Sequence, residues 1–170
     1  ASKGMMVEAI SRTLRMSGNI LFIVFTSMIF AYATALSGVG DNLAHWLETS
    51  GYSKFVFLLM IMVTFAILGC FMEGLGMIAI IVPVIFPALV AMGVDPVWFG
   101  VFVVVLVELG QLTPPLGVIL FVVASSSDKV TVEDVALGVA PFFVIILLFI
   151  LLLIAVPDIA LWFPSWSLGR

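Results

Sequence analysis

From Met16 to Gly40 the chain carries no charged side chain. About 20 consecutive apolar residues in a helix cross the hydrocarbon core of a bilayer, so this stretch predicts a full transmembrane span over 16–40. The feature repeats. Residues 55–72, 74–94 and 135–156 are also free of charge, and 97–124 holds Glu108 alone. Composition agrees: the chain is 64% hydrophobic and 9% charged, with a mean hydropathy of +1.39. A soluble domain runs about half apolar and a quarter charged. This chain needs lipid as its solvent, and the expected fold class is an all-α integral membrane protein.

The boundaries follow from charge and turn residues. Residues 1–15 carry Lys3, Glu8, Arg12 and Arg15 among apolar neighbours. Glu8 and Arg12 have the spacing of a favourable helical pair. The pattern suits either an arm helix lying in the membrane interface or a solvated arm. After the span over 16–40 a polar loop with Asp41, His45, Trp46 and Glu48 is expected to end at Gly51. Glu73, flanked by Gly69, Gly74 and Gly76, divides the next apolar stretch. Two complete spans joined by a tight turn would fit, and so would a re-entrant hairpin over 52–92. The apolar tip Leu68–Gly74 favours the hairpin. Gly93-Val94-Asp95-Pro96 is a turn signal. A broken helix is expected over 97–125, a polar stretch over 125–134 with a Thr131/Asp134 capping box, and a last span over 135–156, kinked at Pro141. Pro157 and Pro164 mark a short tail.

Lys3, Arg12 and Arg15 precede the first span and Lys129 follows the broken helix. The positive-inside rule places both groups in the cytoplasm. That layout closes with a hairpin and not with two full spans. It also puts Trp46, Trp98, Trp162 and Trp166 at the outer interface, where Trp is favoured.

The sharpest chemical signal is Gly110 to Gly117. Proline has no N–H to give the carbonyl four residues back, so Pro114 frees the Gly110 carbonyl and Pro115 that of Gln111. Thr113, before a proline, should be extended. Bare carbonyls at membrane depth cost several kcal/mol, roughly, unless something binds them. The end of the preceding half-helix is partly negative, so a small monovalent cation fits. The alternative is a structural proline kink, but a Gly-x-x-Thr-Pro-Pro-x-Gly cluster argues for function. The hairpin tip, residues 69–76, makes a second ion-ready patch. Glu73 is either a cation or proton site or a cap bonded to backbone N–H groups. Glu108 is either such a site or a carboxyl paired against a neighbouring helix. His45 reads as a solvated loop residue and Cys70 as small packing at the tip.

Phe71-Met72-Glu73-Gly74, Pro83 and Pro87, Gly93-Val94-Asp95-Pro96-Val97-Trp98-Phe99-Gly100, and Leu112-Thr113-Pro114-Pro115-Leu116-Gly117 resemble the large membrane subunit of TRAP (tripartite ATP-independent periplasmic) transporters of bacteria and archaea. The likeness runs from about residue 15 to 156. It implies an inverted-repeat, elevator-type transporter of which this chain is the C-terminal half. It also implies coupling to a sodium gradient and location in the cell inner membrane. The implied partners are the N-terminal half of the large subunit, a small membrane subunit and a periplasmic substrate-binding protein. The substrates would be organic acids of the dicarboxylate, keto acid or sialic acid type. By motif match, sodium would lie on backbone oxygens of Gly69, Gly110, Thr113 and Leu116. Glu73, Gly74, Glu108, Gln111, Pro114 and Pro115 are the candidates for substrate contact or gating. The chain does not begin with Met and is expected to be a piece of a longer protein.

No cofactor beyond the coupling ion is implied. The lack of a basic stripe speaks against nucleic acid. A lone His45 and a lone Cys70, with no Asp inside a span, leave an intramembrane enzyme without a Ser-His pair, an aspartate pair or a zinc motif. The rival within transport is a sodium- or proton-coupled carboxylate transporter that uses no binding protein.

Overall fold

The computed structural model describes residues 3–113, 118–125 and 131–168. These form helices only: α1 (Lys3–Ser37), α2 (Val39–Ser50), α3 (Lys54–Gly69), α4 (Gly74–Ala91), α5 (Pro96–Leu112), α6 (Val118–Ala124), α7 (Val132–Ala155) and α8 (Asp158–Leu168). Helices α1, α4 and α7 are long and apolar enough to cross a membrane, while α3 and α5 are equally apolar but shorter. Most of their surface is uncovered and apolar; only 6% of the span in α1 and 11% of that in α7 is buried. Water could not solvate such faces, and the chain is an all-α integral membrane protein.

Three boundaries differ from expectation. The arm over 1–15 and the span over 16–40 are one helix through residues 3–37, because no Pro or Gly-Pro pair interrupts the N–H to C=O ladder between them. The polar stretch 41–51 is α2, not a loop. Gly40, Leu43, Ala44 and Leu47 recur at helical spacing, and Leu47 is buried while Asp41, His45 and Glu48 face outward. Gly38 and Gly51 flank α2 with φ of 69° and 68°, conformations open to glycine, so the chain turns sharply into and out of this short amphipathic helix. The tail after Pro157 is helical as α8. Pro tolerates a first turn, and Ile159 and Ala160 donate back to Val156 and Pro157.

Other local signals hold. Asp95 caps α5, its Oδ1 accepting from Val97 N at 2.8 Å and Trp98 N at 3.1 Å. Thr131 and Asp134 form the reciprocal capping box at the start of α7. Pro141 lies inside α7. Trp98 is packed inside the protein. It is 4% exposed, its indole stacks on Phe102 with centroids 4.9 Å apart, and Nε1 donates to the Leu153 carbonyl at 3.1 Å. The faces of α5 and α7 thus satisfy that N–H inside the protein.

The core runs from Leu47 through Phe57, Phe65, Met77, Phe99, Phe102, Leu106 and Leu109 to Leu153. Its centre is α5, in contact with α3, α4, α6, α7 and α8. The two arms around Glu73 separate in their packing: α3 lies mainly on α5, and α4 mainly on α1 and α2. Gly40 fixes the level of α4 against the start of α2, since a Cβ there would sit 2.6 Å from Pro87 Cγ.

Candidate functional site

The turn between α3 and α4 meets the C-terminal end of α5, and glycine makes the contact possible. A Cβ at Gly69 would lie 2.3 Å from Gly110 Cα and 2.5 Å from its carbonyl carbon. A Cβ at Gly110 would lie 2.7 Å from the Phe65 oxygen and 3.0 Å from Gly69 Cα. The two backbones touch with no side chain between them. Beside this point a Cβ at Gly74 would be 2.5 Å from Gln111 Nε2 and 2.7 Å from a Val107 methyl. Cys70 Sγ lies 3.3 Å from the Ala66 oxygen and 3.5 Å from the Thr113 oxygen, a weak thiol bond joining the turn to the end of α5.

The structure therefore brings together Gly69, Gly74, Gly110, Gln111 and Thr113.

 The plain measure of that approach is the Cys70–Thr113 contact, made across 43 positions of chain.

Each element end has a local cause. α3 stops because the N–H groups of Phe71 and Met72 both turn back to the Leu68 carbonyl, at 2.9 and 2.8 Å. None of the turn's backbone hydrogen bonds ends on the Gly69 carbonyl. Glu73 opens α4 as its N-cap, with Oε1 accepting from Leu75 N at 3.0 Å, and its carboxylate is exposed. This is the capping role, one of the two open to it. α5 ends at Thr113, which is extended at φ −74° and ψ 119°, as a residue before proline should be. Its hydroxyl donates to the Leu109 carbonyl at 2.7 Å.

The Gly110 carbonyl is not bare, contrary to the argument from Pro114 alone. It accepts Thr113 N at 3.1 Å, because the last turn tightens to a three-residue step when the four-residue partner is a proline. A carbonyl oxygen has two lone pairs, so one remains for an ion. Glu108 stands apart from the cluster. It is exposed on α5, two positions before Gly110 and so roughly opposite it around the helix. Pro114, Pro115 and Leu116 lie outside the described residues.

Sequence reasoning missed Phe65, whose carbonyl closes over Gly110, and Val107, which packs on Gly74. Both read as ordinary apolar helix residues, and only the glycine opposite each betrays the contact. Chemically, the cluster offers backbone oxygens and two helix ends of partial negative charge, a setting for a cation. The start of α4 beside Gln111 offers N–H groups of the opposite sign.

Residues 3–159 match the family model described as "Tripartite ATP-independent periplasmic transporter, DctM component". The chain is 33% identical over 150 residues to the C4-dicarboxylate TRAP transporter large permease protein DctM of Rhodobacter capsulatus, covering 88% of this chain and 34% of that protein. It is 29% identical over 163 residues to the sialic acid TRAP transporter large permease protein SiaM of Vibrio cholerae, covering 96% of this chain and 38% of that protein. It is 34% identical over 149 residues to the isethionate TRAP transporter permease protein DctMQ of Oleidesulfovibrio alaskensis, covering 88% of this chain and 23% of that protein. The chain thus spans about a third of the length of the first two relatives and less of the third. With the match extending from α1 into α8, the chain belongs to the tripartite ATP-independent periplasmic transporter family, as its DctM component.

Proposed function

We propose that this chain is part of a sodium-coupled secondary transporter in the cell inner membrane that imports organic acids. In this reading a periplasmic binding protein delivers the substrate. The rest of the large subunit and a small membrane subunit complete the complex, and an elevator movement carries the site across. Relatives named for C4-dicarboxylate, sialic acid and isethionate support an organic anion as substrate.

The observation that carries the sodium assignment is the meeting of two helix C-terminal ends at Gly69 and Gly110. Both ends are partly negative, and a small cation between their carbonyls would satisfy them. Sodium on the oxygens of Gly69, Gly110, Thr113 and Leu116 is the proposed arrangement. Gly74 and Gln111, with Glu73, Pro114 and Pro115 around them, would border the substrate. Glu108 would act in gating from the other face of α5.

The same reading makes α3 and α4 a re-entrant hairpin. Gly76, Ala79 and Ile80, in the first turns of α4, share a groove with Phe22 to Phe30 of α1. Thr26 is 11 residues beyond Arg15, about 16 Å along the helix. With Arg15 at one membrane surface, the turn lies about half-way through a core of about 30 Å.

Uptake into vesicles holding the complete complex is the test. One net charge moving down 100 mV releases about 2.3 kcal/mol, so two sodium ions carrying a monoanion would sustain roughly a fiftyfold gradient from voltage alone, and the sodium gradient adds to it. Uptake should require an inward sodium gradient and no ATP. Full accumulation with sodium absent from both sides would overturn the proposal.

A further inference from the structure

We propose that the trough between α1 and α4 binds one anionic phospholipid, with an acyl chain in the trough and the headgroup at Arg15. The trough measures ≈ 390 Å³ and is lined by Phe22, Ile23 and Phe30 of α1 and by Gly76, Ala79 and Ile80 of α4. Small residues on α4 leave the space: a Cβ at Gly76 would meet only Met72 Cε, at 3.9 Å. Thr26 and Ser27 also border it, but their hydroxyls donate to the carbonyls of Phe22 and Ile23 at 2.8 and 2.6 Å. The trough therefore offers water few partners and suits a hydrocarbon chain.

Charge identifies which lipid. Glu8, Arg12, Arg15, Asn19, Phe22, Thr26 and Phe30 follow one another at steps of three and four, so they share one face of α1. Arg12 is paired with Glu8 at 2.7 Å. Arg15 is exposed and makes no ion pair among the described residues, and it lies about 10 Å along the helix from Phe22. A phosphodiester at Arg15 and a chain running along the same face into the trough match the build of a phospholipid. A neutral lipid would gain the trough alone, and free phosphate would gain Arg15 alone. The inference is independent of sodium coupling.

The full-length permease in its purified complex is the material. In nanodiscs of phosphatidylcholine, a diazirine on the acyl chain of added phosphatidylglycerol should label peptides containing 22–30 and 76–80. Native mass spectrometry should find phosphatidylglycerol retained in preference to phosphatidylcholine. Arg15→Gln should weaken that retention about fivefold without changing phosphatidylcholine. Gly76→Leu, which fills the trough, should remove the labels. Inorganic phosphate should not displace the lipid. The proposal is overturned if the wild-type complex takes no label in either stretch, as it would if another part of the permease covered the trough. Equal retention of the two lipids, or displacement by phosphate, would overturn it as well. The wild-type labelling stands whether or not Gly76→Leu folds.

Discussion

Replacing Gly69 with alanine should weaken sodium binding in the complete transporter. The new methyl would sit 2.3 Å from Gly110 Cα, 2.5 Å from its carbonyl carbon and 2.9 Å from its oxygen. Carbon atoms in contact sit about 3.5–4.0 Å apart, so the ends of α3 and α5 must part by more than about 1 Å. No flexible side chain can yield instead, because every atom met is backbone. Overpacking of this kind costs about 1–3 kcal/mol. If an ion needs both ends together, separation relieves the strain only in the ion-free state. The cost then falls on affinity, and half-saturating sodium should rise about five- to a hundredfold. Gly100→Ala is the control, since it lies in α5, the helix that Gly69 meets, with nothing within 4 Å of its Cβ position. The assays are the sodium dependence of uptake and the shift in melting temperature that sodium produces. A lower melting temperature with unchanged half-saturating sodium would reduce the contact to packing. Wild-type values in both would refute the close approach itself.

Three further outcomes are expected. Thr113→Val removes the hydroxyl bond to the Leu109 carbonyl and should raise half-saturating sodium by about fivefold, while Thr113→Ser stays within about twofold. Trp98→Phe strands the buried Leu153 carbonyl and should lower stability by about 1–3 kcal/mol in thermal or denaturant unfolding of the complex, with sodium dependence unchanged. Cysteines at Tyr52 and Ala91, with Cys70 replaced by alanine, should react with an impermeant maleimide from the same side of the membrane; reaction from opposite sides would rule out a re-entrant hairpin.

The helices were legible because charge-free runs and capping residues are local. Asp95 and Thr131 each stand where a helix begins, and each caps it. The extended Thr113 followed from the proline after it. Residues 39–50 were misread because polar side chains on the outer face of a short helix resemble a loop, and only Gly40, Leu43, Ala44 and Leu47 carry the helical period. The bond from Trp98 to the Leu153 carbonyl was not legible, because it depends on how α5 lies on α7. The site was half legible. Gly69, Gly110 and Thr113 could be named from motif, but their contact depends on how α3 lies on α5, which no local pattern encodes. The bond from Thr113 N to the Gly110 carbonyl was invisible for a related reason. Proline forbids one partner without naming the substitute.

The electrostatics of the meeting point would favour a cation. Helix ends carry roughly half an elementary charge, so α3 and α5 bring two like charges together at Gly69 and Gly110. At about 5 Å and an effective dielectric constant of about 20 their repulsion is roughly 0.8 kcal/mol, and more where water is absent. The N-terminal end of α4 is adjacent, where Gly74 meets Gln111, and offsets one of the two. The Glu73 carboxylate bonds to that same end through Leu75 N and cancels part of the offset. The balance of these terms is negative, which would favour a cation between the two ends. The packing gives that balance a second consequence. Because α3 rests on α5, any movement of α3 away from α5 also separates the two negative ends. In the proposed arrangement an ion bound between them would hold the turn against α5, and its departure would remove the attraction that opposes opening.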